Sequence, residues 1–193
     1  RDLFRFLLSL TVYYCGINTV VVLAAVYAQQ VMGFGMRETV FLILVVNVTA
    51  AVGAFLFGYV QDRFGSVRTL AVTLMLWVVA LVIAFYTETE PAFWLVANLI
   101  GLALGSSQSA GRALVGQFAP PERAAEFFGL WGLAGKFAAV VGPLSYGAIP
   151  YGIAGTPRLA LFATAISCGG GLVLLLRVDE NRGRAAAHTV AVS

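Results

Sequence analysis

Several polar side chains stand inside stretches that are otherwise apolar: Asn18, Asn47, Asn98, Gln108, Arg112 and Lys136, with Thr49, Ser106, Ser107 and Ser109 beside them. Each is costly in such surroundings; a lysine at the centre of a membrane helix costs about 2.5–3.5 kcal/mol on insertion scales. The chemistry these groups offer is binding, with amides for a polar solute and two cations for an anion or carboxylate. Catalytic and metal chemistry lack their parts. The single histidine, His188, lies near the end of the chain, and Cys15 and Cys168 stand alone within apolar stretches as small packing residues. Gly105-Ser106-Ser107-Gln108 has no histidine to serve as base. Gly132-Leu133-Ala134-Gly135-Lys136 lacks the spacing, the following Ser or Thr and the preceding strand of a phosphate loop. No catalytic residue, metal or cofactor is expected.

The elements that must position these groups follow from composition. Of 193 residues, 60% are hydrophobic and 11% charged, with a mean hydropathy of +0.90. Soluble domains average about 45–50% apolar and about 25% charged residues, so a soluble domain and a disordered chain are both poor fits. The apolar residues fall in six blocks, at about residues 6–28, 39–60, 69–86, 92–118, 127–149 and 159–176. Each approaches the roughly 20 residues that carry a helix across a bilayer core of about 30 Å. Barrel strands would alternate over about 10 residues, which these blocks do not. Breakers separate them: Met32-Gly33-Phe34-Gly35, Gln61-Asp62-Arg63-Phe64-Gly65, Glu90-Pro91, Pro120-Pro121 and the stretch 150–157. The first block is too long for a signal peptide and lacks a small-residue cleavage site. The chain starts with Arg1 rather than Met, which reads as an excerpt of a longer protein. Residues 178–193 are polar and small and read as a disordered tail. The expected fold is an all-α integral membrane bundle of six transmembrane helices.

Charge gives an orientation. Six spans put both termini on one side, with Arg1, Arg5, Arg63, Arg68, Arg123, Arg177, Arg182 and Arg184; the other side has Arg37 and Arg158, beside Glu88 and Glu90. Eight arginines against two predict cytoplasmic termini. The net charge of +3 thus reports orientation in the lipid bilayer rather than a nucleic-acid partner.

Spacing groups the polar residues. Asn98, Gly101, Gly105, Gln108 and Arg112 follow at steps of 3, 4, 3 and 4, one stripe along the fourth helix. Gly101 and Gly105 form a GxxxG pair suited to close helix packing. The stripe reads either as a packing seam or as the wall of a cavity. Arg112 is near enough to the helix end to snorkel, or to pair with Glu126 across the loop. On the fifth helix Gly129, Gly132, Lys136, Ala139 and Pro143 repeat the spacing, with Gly129 and Gly132 as the expected helix-packing residues. Lys136 lies nine residues past Phe127, roughly 14 Å deep, and no Asp or Glu falls at that depth to meet it. Helices three and six carry only Thr, Ser or Cys, and are expected to face lipid while the other four surround something polar.

Between the second and third blocks, Gly58-Tyr59-Val60-Gln61-Asp62-Arg63-Phe64-Gly65-Ser66-Val67-Arg68 resembles the signature loop of the major facilitator superfamily. Gly58 and Gly65 suit close packing and a tight reversal. Asp62 suits a neighbouring helix N-terminus or an arginine, and Arg63 and Arg68 a cytoplasmic gate. The family pattern has two basic residues soon after the second glycine; here Ser66 and Val67 intervene, as in the degenerate copy typical of the second half. Gly111-Arg112-Ala113-Leu114, Pro120-Pro121-Glu122-Arg123-Ala124-Ala125-Glu126-Phe127-Phe128-Gly129-Leu130, Gly135-Lys136-Phe137 and Gly142-Pro143 resemble the vacuole-effluxer-like branch of that superfamily, which groups autophagy-related amino-acid permeases with bacterial homologues.

The resemblance implies the C-terminal half of a twelve-helix transporter in a bacterial cell membrane. Its partners would be an N-terminal six-helix half and a small polar solute, an amino acid by the branch's suggestion, with or without a coupling ion. Asn18, Asn47, Asn98, Gln108, Arg112 and Lys136 are the candidates for lining its cavity. A membrane scaffold or receptor on the same bundle is the alternative.

Overall fold

A computed structural model describes residues 2–148 and 157–190. Among them are seven α-helices: α1 (Asp2–Gln30), α2 (Met36–Phe64), α3 (Ser66–Tyr86), α4 (Glu90–Phe118), α5 (Ala124–Ala148), α6 (Pro157–Leu175) and α7 (Glu180–Val190), with a 3₁₀ turn at Pro121–Arg123 before α5. Arg1, the expected end of the fifth span at Ile149 and the turn after it lie outside the described residues, as do the side chains of Arg158, Arg184 and His188.

The six apolar blocks each become one helix, extended at several ends by local chemistry. The Glu38 carboxylate accepts the Gly35 N–H at 2.8 Å and starts α2 a turn early. Pro91, in the first turn of α4, costs no hydrogen bond there. Gly65 takes φ +88°, the conformation that reverses the chain within a single residue between α2 and α3. Among the described residues four helical segments are, by length and composition, long and apolar enough to cross a membrane: Asp2–Gln30, Met36–Phe64, Ser66–Tyr86 and Pro121–Ser145.

The helices form two groups of three. α1 packs against α5 and α6, α4 packs against α2 and α3, and the groups join mainly along α3 and α6. Exchanging α1 with α4, α2 with α5 and α3 with α6 reproduces this pairing, the pattern of two internal repeats. The core is built from Phe6, Leu10 and Tyr13 of α1, Leu70, Leu74 and Trp77 of α3, Leu114 of α4 and Leu175 of α6, all fully buried. Across it Ser9 donates to the Gly171 carbonyl at 2.7 Å and the Trp77 indole N–H to Ser107 at 3.4 Å.

Two expectations are corrected. Helix α3 is half core, with an inner face at Leu70, Leu74, Trp77 and Leu81 and an apolar outer face at Val72, Met75, Val79 and Val82. The most exposed helices are α2 and α5, each with one main neighbour, so Phe41, Leu44, Phe55, Leu133, Phe137 and Leu144 lie bare. The second correction is the tail. Residues expected to be disordered form α7, because Asp179 caps it by accepting the Arg182 N–H at 3.0 Å, and because Val178 and Ala187 are buried.

Candidate solute groove

Helices α2 and α4 touch where neither has a side chain to keep them apart. A Cβ on Gly53 would overlap the backbone of Leu102; one on Gly101 would overlap Thr49, and one on Gly105 the backbone of Ala50. The same device joins α5 to α1, where a Cβ on Gly142 would overlap the backbone of Cys15. Contact this close fixes both helices and leaves little tolerance for added volume.

Below Gly105 the stripe on α4 changes character. Ala50 and Ala54 of α2 are too small to fill the space opposite Gln108, Ser109, Arg112 and Ala113, and an open groove of about 520 Å³ results. One stripe is therefore a dry seam in its upper part and a cavity wall in its lower part. Gln108 and Arg112 are both exposed to the groove. The Arg112 guanidinium carbon stands 5.7 Å from the centroid of the Trp131 ring on α5, a cation–π contact that holds the charge between the two helix groups. It does not pair with Glu126, as the loop spacing suggested, because Arg123 takes that carboxylate at 2.6 Å from within the same turn.

Lys136 is exposed on the next turn of α5. At about 100° per residue it lies roughly 140° round from Trp131, on the bare face of α5 with Leu133, Phe137 and Val140, and it does not line the groove. Within this chain Gly129 and Gly132 touch no other helix: a Cβ on either would meet nothing within 4 Å. The residues of α5 that do pack are one position round the helix, Trp131, Gly135, Ala138 and Gly142, with Gly135 against the Tyr14 ring. All nine acids of the chain lie in loops or in terminal turns of helices, so Arg112 and Lys136 share their depth with no carboxylate. Among the described residues neither cation has an ion pair.

The three asparagines behave differently. Asn18, Asn47 and Asn98 each donate to the carbonyl four residues back, on Tyr14, Ile43 and Trp94, at 2.8, 2.8 and 2.7 Å. Their amide donors are thus partly satisfied within their own helices. Asn47 lines a largely apolar space of about 470 Å³ between α1, α2 and α4 toward the other end of the bundle, beside Thr19, Tyr27 and Phe93. The structure does not bring the three together.

In the signature loop Gly65 makes the reversal, but Gly58 packs against nothing, and the acid at the neighbouring helix start is not Asp62. Asp62, Arg63 and Arg68 are exposed. Glu180 from α7 takes the place expected of Asp62, accepting the Ser66 and Val67 N–H groups at 3.2 and 2.9 Å. Sequence reading missed Glu180, Trp131, Gly53 and Gly142. For the two glycines the signal was present as small residues among small residues; for Glu180 and Trp131 there was none.

A family model described as "Vacuole effluxer Atg22 like" matches residues 1–188. The chain belongs to this Atg22-like family. It is 31% identical over 180 residues to an uncharacterized MFS-type transporter, YxiO, of Bacillus subtilis, a match that covers 93% of this chain and 42% of that protein. It is 26% identical over 213 residues to autophagy-related protein 22 of Coccidioides immitis, covering 99% of this chain and 34% of that one. The Atg22-like chain therefore spans less than half the length of these relatives. The family is one of membrane transporters, not enzymes.

Proposed function

We propose that this Atg22-like chain is the C-terminal six-helix half of a twelve-helix transporter that moves a small, carboxylate-bearing polar solute by alternating access. The observation that carries this reading is the groove itself. It puts Gln108 and Arg112 on one open surface with no acid in its lining, while Lys136 stands exposed and without an ion pair on α5 among the described residues. An anionic group on the solute supplies the missing charge, and a guanidinium steadied on Trp131 offers it two parallel donors. Amino acids are the solute class that the family resemblance suggests. The repeat-like exchange of α1–α3 with α4–α6 suits two halves rocking about a site near mid-membrane. The bare apolar faces of α2 and α5 suit the other half and lipid. The arginine excess supports cytoplasmic positions for both ends of the segment, and for Asp62, Arg63 and Arg68 at a cytoplasmic gate.

The test uses the full-length protein in proteoliposomes with a panel of radiolabelled amino acids. Arg112→Ala and Lys136→Gln are each expected to lower transport of the accepted solute, and Gln108→Cys to react with a membrane-impermeant thiol reagent more slowly when that solute is present. Unchanged transport in both variants removes these cations from the site. A Gln108→Cys protein inert to the reagent in every condition favours a scaffold with a dry interior.

A further inference from the structure

We infer that α7 is a releasable clamp that holds the two three-helix groups together at one end of the bundle, and so sets the separation across which Arg112 meets Trp131. It follows from where the contacts of α7 fall. The helix continues from α6, and Arg182 donates to both oxygens of Asp2 on α1 at 2.6 and 2.5 Å, which anchors it to the first group. On the second group, Glu180 takes the two leading N–H groups of α3. Gly183 lies so close to the Phe118 ring of α4 that a Cβ there would overlap it. The linker adds one more tie, from Arg5 to the Arg177 carbonyl at 3.2 Å.

Outside the α3–α6 contact the groups meet at this end at few places: the Phe6 ring of α1 stands edge-on to Phe118 of α4 at 6.3 Å, and α5 approaches α4 through Phe128 and Trp131. The clamp is electrostatic over most of its contacts, with Asp2 buried but the Arg182 side chain 56% exposed. Water can therefore replace the polar partners as it opens, and the apolar surface uncovered is that of Gly183, Ala187 and the Phe118 ring. The inference does not depend on the identity of the solute, and its test needs none.

The experiment measures distances by pulsed electron resonance in the full-length protein in lipid, on a Cys15→Ala/Cys168→Ala background. Spin labels at Phe4→Cys on α1 and Tyr59→Cys on α2, both exposed, span the groups at the clamped end. Labels at Val26→Cys and Val40→Cys span them at the other end. Glu180→Gln and Arg182→Ala are expected to add a longer-distance population to the first pair and leave the second unchanged. The charge swap Asp2→Arg/Arg182→Asp is expected to remove that population. An unchanged first pair in both single variants overturns the clamp. So does equal lengthening of both pairs, which reports general loosening, and so does a swap that fails to restore the short distance.

Discussion

The Asp2 carboxylate and the Arg182 guanidinium, 180 residues apart in sequence, form a two-pronged ion pair at 2.6 and 2.5 Å, with Asp2 buried and Arg182 largely exposed. That asymmetry predicts an order of effects. Arg182→Ala leaves a buried charge without its main partner, because Arg5 reaches it only at 3.8 Å. Asp2→Asn leaves an arginine that water can solvate. The first substitution should lower the midpoint of thermal unfolding in detergent by more than the second, as read by intrinsic fluorescence. The reverse order would show that the pair is not held as described.

Glycines that look alike in sequence should respond oppositely to alanine. At Gly105 the added methyl meets the Ala50 backbone, which cannot move aside, and the loss should reach about 1–3 kcal/mol or more. At Gly132 it meets nothing, and helix propensity gives up to about 1 kcal/mol in the other direction. Unfolding of the two variants in a denaturing detergent series measures the difference.

Glu180 caps α3 from the far end of the chain, so its removal should be felt locally before it is felt globally. A lost cap costs about 0.5–2 kcal/mol. The amides of Ser66 and Val67 should therefore exchange with deuterium roughly two- to thirtyfold faster in Glu180→Ala. Peptides from the middle of α3 should keep their protection.

At Arg112 the shape of the cation should matter as well as its charge. Lysine keeps the charge but loses the planar face that lies on Trp131, a contact worth about 0.5–2 kcal/mol. Arg112→Lys should raise the KM for transport by roughly two- to thirtyfold, and Arg112→Ala, which also forfeits a charged hydrogen bond, by more. Trp131→Phe should fall between wild type and Arg112→Lys, since a smaller aromatic face remains.

Sequence periodicity made the helices legible because a membrane span needs a length and a hydropathy that little else mimics. It also found the α4 stripe, yet could not divide it at Gly105, because the division depends on Ala50 and Ala54 of another helix. It named Gly129 and Gly132 for packing, whereas the seam with α1 runs through Gly135 and Gly142, about one position round a helix rich in small residues throughout. Three asparagines looked like solute contacts because a polar group in lipid must bond to something, and the carbonyl one turn back serves. Helix α7 escaped notice for a different reason. Its stability comes from Asp2, the start of α3 and Phe118, none of which is near it in the chain.

The pairing of α1 with α5 and α6 rather than with α2 has a consequence for biosynthesis. Ser9 waits for the carbonyl of Gly171, 162 residues downstream. At about 5–20 residues per second the ribosome needs roughly 8–32 seconds to cover that interval. During it α1 stands without the helices it packs against, α5 for most of the interval and α6 for nearly all of it. High contact order of this kind makes assembly late, so premature stops or slow codons before α6 should hand the quality-control machinery an α1 that lacks its main neighbour.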